Sequence, residues 1–247
     1  DMLVSTDGDA DRPLIADENG TFIRGDIIGI LTAKHLGVDH IVTPVNSNTA
    51  VISSNIFESV TLTKIGSPYV IENILKKAFE SPKSVIAGYE ANGGFLLGSD
   101  IHQADCKLDA LPTRDAVLPM LSIIKISIAT DKPLSQLKED LPSRFTHSDR
   151  IEGFSAERSK AFFNTTRSNP SFITKLLPNT YEGLEKIDET DGIRITFANK
   201  DIVHLRASGN APELRCYAES GSLESVKSIV SSCLEGIKAI NFDTMET

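Results

Sequence analysis

The sequence is short of positive charge and of long apolar runs, and each shortage excludes a class of protein. Lysine and arginine number 25 against 34 aspartates and glutamates, a net charge of −9. A chain this acidic is not expected to bind nucleic acid. The longest apolar run, at 117–129, is interrupted by Pro119 and Lys125. It falls short of the roughly 18 consecutive apolar residues of a membrane helix, so we expect no membrane partner.

Cysteine is also scarce. The 3 cysteines lie far apart and lack the spacing of a metal site, which indicates buried thiols in a reduced cytoplasm. They are Cys106, Cys216 and Cys233. The length of 247 residues suffices for one large domain or two of ordinary size.

The first part of the chain alternates between strand and helix patterns. Apolar stretches at 2–6 and 13–16 flank an acidic loop and predict a strand–loop–strand unit. Beyond it, strands alternating with helices predict an α/β domain with a mainly parallel sheet. The predicted helices cover 25–37, 48–59, 67–81 and 109–130, and the predicted strands cover 40–45, 60–66 and 83–90. Asp26 and Ser67 are predicted N-caps, and Gly37 is a predicted C-cap.

The last hundred residues have a different pattern. Residues 129–150 are polar and contain two prolines, which predicts a helix and connector leading out of the first domain. Alternating apolar residues within 191–220 predict three strands of an antiparallel sheet, and 222–240 predicts an amphipathic closing helix. This part is therefore expected to be an α+β module.

The acidic loop places Asp7, Asp9 and Asp11 at alternate positions, with Arg12 directly after them. Small residues between the aspartates allow the carboxylates to converge, and a hard cation such as Mg²⁺ resolves their mutual repulsion. Arg12 beside such a site suits a phosphoryl group that also touches the metal. A calcium EF-hand is one alternative, but Arg12 stands where that loop needs glycine. A solvated acidic turn is the other alternative.

A second candidate site lies in the C-terminal part. The segment "LRASGNAPELR" at 205–215 combines two arginines, a hydroxyl, an amide and exposed backbone N–H groups around a turn, which favours phosphate binding. The candidate ligands are Arg206, Ser208, Gly209, Asn210 and Arg215. A plain hairpin with exposed arginines is the alternative.

Two further loops carry candidate polar ligands. "GYEANGG" at 88–94 offers Glu90 and Asn92, a carboxylate and an amide that suit a pair of sugar hydroxyls. Lys64 follows a predicted strand, where it could reach a phosphate. Taken alone, residues 88–94 are also compatible with an ordinary turn, and Lys64 is also compatible with a solvated side chain.

With these loops in this order, the chain resembles the α-D-phosphohexomutase family of phosphomannomutases and phosphoglucomutases. "DGDADR" matches the metal-loop signature Asp-Gly-Asp-x-Asp-Arg of that family. "GYEANGG" stands in place of the sugar-binding loop, with Asn92 replacing its usual serine. "RASGNAPELR" fits the phosphate-binding loop Arg-Pro-Ser-Gly-Thr-Glu-Pro-x-x-Arg, with Asn210 and Ala211 replacing the Thr-Glu pair.

The resemblance implies a four-domain protein of which this chain is the C-terminal half. Residues 1–21 would end domain two, residues 22–142 would form an α/β mixed-sheet domain three, and residues 143–247 would form an α+β domain four of TATA-box-binding-like fold with an antiparallel sheet. The catalytic phosphoserine of the family lies in a Thr-Ala-Ser-His-Asn-Pro loop, which this sequence lacks. We therefore expect N-terminal domains of the same polypeptide to be missing from this chain.

The resemblance also implies a reaction and a set of roles. A phosphohexomutase interconverts hexose 1-phosphates and hexose 6-phosphates through a bisphosphate and the phosphoserine. Mg²⁺ would be bound by Asp7, Asp9 and Asp11, with Arg12 stabilising the transferred group. Glu90 and Asn92 would hold sugar hydroxyls. The residues that would bind the other phosphate are Arg206, Ser208, Gly209, Asn210 and Arg215, with help from Lys64.

Three readings of the function remain open from the sequence. The first is a mutase, with phosphomannomutase ahead of phosphoglucomutase and phosphoglucosamine mutase. The second is a non-catalytic module that binds sugar phosphates or a metal. The third is a dehalogenase-type phosphatase, which also uses an acidic Mg²⁺ loop but would leave the arginines at 206–215 unexplained. The sequence does not indicate the oligomeric state.

Overall fold

The chain divides into two units, Asp1–Ser143 and Arg144–Thr247. The structure is a computed structural model that describes residues 1–103, 106–177, 183–209 and 211–242. Within these ranges, none of the helices combines the length and the apolar character needed to cross a membrane.

The first unit begins with a small antiparallel sheet. Its strands, in the order β1-β2-β3, are β1 (Leu3–Thr6), β2 (Pro13–Ala16) and β3 (Phe22–Ile23). Thr6 pairs with Pro13, so residues 7–12 form the loop of a hairpin. Ile15 of β2 is fully buried in the core of the unit, which anchors this hairpin to the elements that follow.

The main sheet of the first unit has five strands in the order β10-β7-β6-β4-β5. β4 pairs in parallel with β5 and β6, whereas β7 pairs antiparallel with β6 and β10. The mixed α/β sheet that the resemblance implies is therefore confirmed. The mainly parallel sheet predicted from the alternation of strands and helices is wrong, because the tight turn between β6 and β7 makes that pair antiparallel. The elements are α1 (Gly25–His35), β4 (His40–Pro44), α2 (Ala50–Ser53), β5 (Ser59–Thr63), α3 (Ser67–Glu80), β6 (Ile86–Tyr89), β7 (Phe95–Leu97), a hairpin of β8 (Ile101–Gln103) and β9 (Cys106–Leu108), β10 (Leu111–Asp115) and α4 (Val117–Thr130).

The helices of this unit bury apolar faces against the sheet. All residues of β4 and β6 are buried, as expected for central strands covered on both faces. α3 buries Val70 and Ile74, one turn apart, while its outward side carries charged residues together with the exposed Leu75 and Phe79. Each such side chain contributes about 1.5–3 kcal/mol when it is fully buried.

The predicted helix at 109–130 is wrong in its first third. Residues Leu111–Asp115 form strand β10, and α4 begins only at Val117. Pro112 is tolerated there because β10 is an edge strand of the sheet. One side of an edge strand makes no hydrogen bonds to a neighbouring strand, so a residue without an N–H can stand there. The polar residues 113–115 interrupt the apolar run before α4, and Asp115 Oδ1 accepts hydrogen bonds from the backbone N–H groups of Val117 and Leu118 at 2.7 and 3.3 Å. Asp115 is therefore a helix-start signal in the sequence that the prediction missed.

Other predicted boundaries also differ. The helix at 48–59 is reduced to the four residues of α2. Asp26 lies inside the first turn of α1 instead of capping it, and Ser67 is the first residue of α3, after the N-cap Gly66. Gly37 does adopt a left-handed φ of 67° just beyond the end of α1.

The second unit is a five-stranded antiparallel sheet with helices, in agreement with the predicted α+β module. Its strand order is β11-β15-β14-β13-β12. The elements are β11 (Phe145–Glu152), α5 (Ala156–Ser168), a 3₁₀ segment (Pro170–Leu176), β12 (Leu184–Asp188), β13 (Ile193–Phe197), β14 (Ile202–Ala207), β15 (Glu213–Ser220) and α6 (Leu223–Lys238). The core includes Phe162, Phe197 and Leu214, together with the inner face of α6.

The strand β11 corrects the prediction of a helix and connector at 129–150. Only Ile151 of its eight residues is buried, so the sequence lacks the alternation that predicts a strand. Backbone pairing with β15 along the whole length of β11 forms the strand instead. The helix α5, whose N-cap Ser155 accepts a hydrogen bond from the backbone N–H of Arg158, was not predicted.

A histidine inside the second sheet makes the stability of this unit depend on pH. His204 on β14 is buried, contacts the carbonyl of Asp191 through Nε2 and stacks on Tyr217 at 5.3 Å between ring centroids. Burial lowers the pKa of His204 below its ordinary value of 6.5. At pH values between the lowered pKa and 6.5, the unfolded chain binds more protons at this histidine than the folded chain does. Stability therefore falls as the pH falls through this window.

We expect the substitution His204→Gln to reduce the loss of thermal stability on acidification. Glutamine keeps a hydrogen-bond donor but has no titratable ring, so the unfolded variant gains no proton at this position. The measurement is the melting temperature of both proteins between pH 7.5 and pH 5. Equal falls in melting temperature for the two proteins would contradict this assignment.

Candidate functional site

The acidic loop between β1 and β2 is held by its own first aspartate. Asp7 Oδ1 accepts hydrogen bonds from the backbone N–H groups of Asp11 and Arg12, at 3.3 and 3.2 Å. The N–H of Ala10 donates to the carbonyl of Asp7, and Ala10 has a left-handed φ of 60°. This tight curl is why a small residue stands between Asp9 and Asp11.

The curl brings the three predicted metal ligands together. One carboxylate oxygen from each of Asp7, Asp9 and Asp11 lies within 4.8 Å of the others. Arg12 flanks them, with NH1 3.4 Å from Asp7 Oδ2 and Nε 3.6 Å from Asp11 Oδ1. The second distance is too long for a hydrogen bond, and within the described part of the chain Asp11 Oδ1 is buried without a hydrogen-bond partner. An all-oxygen set with an unsatisfied carboxylate fits a hard divalent cation.

The predicted sugar-binding loop is a tight turn between β6 and β7. The N–H of Gly93 donates to the carbonyl of Glu90 at 2.9 Å, and the N–H of Glu90 donates to the carbonyl of Gly94 at 3.0 Å. Asn92 is exposed, and its Oδ1 accepts a hydrogen bond from the N–H of Gly94 at 3.1 Å. The turn therefore leaves Asn92 accessible, while the side chain of Glu90 is only 8% exposed.

Close backbone packing places this turn beside the acidic loop. Gly93, with a φ of 97°, lies against Gly25 at the start of α1 and against the ring of Pro13 at the end of the acidic loop. A Cβ on Gly25 would lie 2.2 Å from the backbone nitrogen of Gly93. Only glycine permits this approach, so the sequence of the turn determines how near Glu90 lies to the acidic loop.

Arg114 connects the two loops and was not predicted as a site residue. Its NH2 lies 2.8 Å from Asp11 Oδ2, and its NH1 lies 3.9 Å from Glu90 Oε2. Sequence reasoning assigned 109–130 to a helix and gave this arginine no role. The useful signal would have been an arginine on a strand that pairs with β7, the strand that directly follows the predicted sugar-binding loop.

Glu90 has an unusual environment for a carboxylate. Burial raises its pKa, and the guanidinium groups of Arg114 and Arg12 oppose that rise. In the described part of the chain, Glu90 Oε2 is buried and accepts no hydrogen bond. A buried acceptor without a partner is costly, and a ligand hydroxyl at this position would satisfy it.

In the second unit, the predicted phosphate-binding arginines lie on neighbouring strands. Arg206 of β14 pairs with Arg215 of β15, and Arg215 in turn pairs with Arg150 of β11. Residues directly opposite each other share one face of a sheet, so these three like charges form a row that favours an anion. Arg150 is a further basic residue that the sequence analysis missed.

Carboxylates compensate this row within the unit. Arg206 Nε lies 2.8 Å from Asp191 Oδ2, and Arg215 NH2 lies 3.1 Å from Glu213 Oε2. Arg150 and Arg215 also line a shallow cleft of about 270 Å³. The row is therefore held in position by the protein before any ligand binds.

The turn that follows Arg206 is only partly described. The N–H of Ser208 donates to the carbonyl of Glu213 at 2.8 Å, and Gly209 is exposed with no atom within 4 Å of its Cβ position. Asn210 lies outside the described residues. Lys64 directly follows β5, is exposed, and has its Nζ 5.8 Å from the ring centroid of Tyr69.

Two family models match consecutive stretches of the chain. The model of the phosphoglucomutase/phosphomannomutase α/β/α domain III matches residues 24–145, and the model of the C-terminal domain matches residues 150–235. The chain belongs to the α-D-phosphohexomutase family. The resemblance inferred from the three motif loops is thereby confirmed.

Curated relatives of this phosphohexomutase chain carry mutase names. A phosphomannomutase of Salmonella muenchen is 46% identical over 97% of this chain and 49% of its own length. A phosphomannomutase of Sinorhizobium fredii is 37% identical over 98% of this chain and 50% of its own length. A probable phosphoglucosamine mutase of Methanobrevibacter smithii is 26% identical over 96% of this chain and 47% of its own length. The chain thus spans about half the length of these relatives.

Solved structures share the fold. A phosphoglucomutase/phosphomannomutase family protein from Burkholderia thailandensis has a TM-score of 0.67 at 17% identity, covering 97% of this chain and 47% of its own. An N-acetylphosphoglucosamine mutase of Aspergillus fumigatus, solved with GlcNAc-6P and magnesium, has a TM-score of 0.62 at 18% identity. That match covers 96% of this chain and 52% of the other.

We expect Gly25→Ala to destabilise the phosphohexomutase chain by about 1–3 kcal/mol, because the added methyl group would overlap the backbone of Gly93. The matched control is Gly8→Ala, since a Cβ on Gly8 meets no atom within 4 Å. The control should change stability by less than about 0.5 kcal/mol. Urea unfolding of both variants measures the difference, and equal stabilities would contradict the close packing.

Proposed function

We propose that this chain is the C-terminal half of a phosphomannomutase, which interconverts mannose 6-phosphate and mannose 1-phosphate. The observation that carries the proposal is the cluster of Asp7, Asp9, Asp11 and Arg12 beside the buried carboxylate of Glu90. An acidic metal loop next to a carboxylate with a free acceptor suits a ligand that carries both a phosphate and hydroxyl groups. Relatives named phosphomannomutase support mannose as the sugar.

The acidic loop would bind Mg²⁺ through Asp7, Asp9 and Asp11. The ion would supply positive charge at the phosphoryl group during its transfer, as metal ions do in phosphoryl transfer generally. Arg12 would donate N–H groups to the same phosphoryl oxygens. Its present ion pairs with Asp7 and Asp11 hold the guanidinium beside the loop.

The sugar and the second phosphate would use the remaining candidates. Glu90 would accept hydrogen bonds from sugar hydroxyls, and the exposed Asn92 would bind a neighbouring hydroxyl. The residues proposed to bind the phosphate that is not transferred are Arg206, Ser208, Gly209, Asn210, Arg215 and Lys64. The pairing of Arg206 with Arg215 across two strands supports their part in this role.

The nucleophile of the reaction would lie elsewhere in the whole protein. The chain contains no Ser-His-Asn-Pro sequence, so the phosphoserine would come from N-terminal domains of the same polypeptide. We therefore expect no mutase activity from the 247-residue chain alone. Its free cysteines support a reducing compartment, and we propose the cytoplasm.

We expect Arg206→Ala combined with Arg215→Ala to weaken binding of hexose phosphates more than tenfold in the full-length enzyme, or about 1.4 kcal/mol. The physical reason is the loss of two charge-assisted donors to the phosphate. The measurement is KM and kcat for the phosphates of mannose, glucose and glucosamine. This comparison also tests the preferred sugar.

The matched control removes two arginines from α5 of the same unit, Arg158→Ala with Arg167→Ala. It should leave KM close to that of the wild type, because neither arginine belongs to the row on the sheet. Unchanged KM and kcat in the Arg206/Arg215 variant would exclude these arginines from the site. A full-length enzyme that converts none of the three phosphates would overturn the proposed function.

A further inference from the structure

We propose that Arg114 competes with the divalent cation for Asp11 and so couples the metal loop to the sugar-binding carboxylate Glu90. The inference rests on the proposed function, because it takes the acidic loop as a metal site. It assigns a positioning role to a residue that belongs to neither motif loop.

The first observation is that Arg114 has two partners of different kinds. One terminal nitrogen lies 2.8 Å from Asp11 and the other lies 3.9 Å from Glu90. The side chains of Arg114, Asp11 and Glu90 are 23%, 21% and 8% exposed. At this degree of burial, water screens the pairs less than it screens pairs on an open surface.

The second observation is that the fold builds a place for this arginine. The pairing of β10 with β7 is irregular between Leu111 and Asp115, and such irregularities redirect side chains. Gly94 leaves room for the stem of Arg114, since a Cβ at Gly94 would lie 2.8 Å from Arg114 Cδ. The guanidinium is therefore directed between the two loops by the strand and by a glycine of the sugar-binding turn.

The third observation is the balance of charge. Asp7, Asp9 and Asp11 carry the negative charge of the metal loop, with Glu90 nearby. Arg12 is paired with two of the loop aspartates, whereas Arg114 divides its contacts between the loop and the turn. Arg114 contacts Asp11 Oδ2, whereas Asp11 Oδ1 has no hydrogen-bond partner among the described residues. A divalent ion that binds this carboxylate through Oδ1 would share its charge with Arg114, so the two cations weaken each other's hold on Asp11. Metal binding would then shift the balance of the Arg114 contacts toward Glu90.

The test measures Mn²⁺ binding to the 247-residue chain. Electron paramagnetic resonance detects the Mn²⁺ that remains free in solution. We expect Arg114→Gln and Arg114→Met to bind Mn²⁺ about fivefold more tightly than the wild type, because a competing cation is removed. Arg114→Lys keeps the charge and should bind closer to the wild type. Arg167→Gln removes the same charge from the other unit and should have no effect, and Asp9→Asn should abolish binding.

The link to Glu90 is tested by a double-mutant cycle. Glu90→Gln removes one of the two carboxylate contacts of Arg114 and leaves the contact with Asp11. We therefore expect Glu90→Gln to raise the Kd for Mn²⁺ by a factor at least about three times larger in the wild-type background than in the Arg114→Gln background. Equal effects in the two backgrounds would overturn the coupling. Circular dichroism of each variant establishes that it is folded.

The outcomes separate this inference from the proposed function. If the wild-type chain binds no Mn²⁺ at millimolar concentration, the metal site itself fails and the inference fails with it. If the wild type binds Mn²⁺ and both Arg114→Gln and Arg114→Met bind it equally or more weakly, only the competition by Arg114 is overturned. The metal loop of the proposed function would then remain.

Discussion

Repulsion among carboxylates is the constraint on which this site depends. Asp7, Asp9 and Asp11 lie with ligand oxygens within 4.8 Å of one another, and the buried Glu90 lies near them. Such a group is stable only when cations stand close to it. The structure supplies two arginines, one from the loop itself and one from a distant strand. The remaining negative charge favours a divalent ion, and this links the electrostatics of the fold to its proposed chemistry.

The neighbouring contacts can be understood as ways of holding that charge in place. Asp7 uses one carboxylate oxygen to cap its own loop, which directs the chain through Asp9 and Asp11. Gly25 and Gly93 bring two backbone segments closer than any side chain would allow. In the second unit the charges are reversed: the carboxylates of Asp191 and Glu213 hold the row of arginines in place. In both units, the groups that would bind ligand are already oriented by partners of opposite charge.

Short-range patterns were sufficient for much of the fold and for the motif loops. The apolar spacing of α3 and the β-branched run of β4 predicted those elements, because each buries a face that its own sequence defines. Two missed strands have a common cause. β10 and β11 are edge strands with a single buried residue, Ile151, between them, so burial leaves no alternating pattern and pairing with β7 and β15 makes them strands. A single sequence contains no local record of that pairing.

The sequence by itself determined which chemical groups are present and how the short loops curl. The spacing of Asp7, Asp9 and Asp11 with Arg12 is local, and local hydrogen bonds are enough to make their carboxylates converge. Tertiary structure alone decided that Arg114 stands between Asp11 and Glu90. The reason is physical: that contact joins residues far apart in the chain, and it exists only after β10 pairs with β7 and glycines allow the loops to approach.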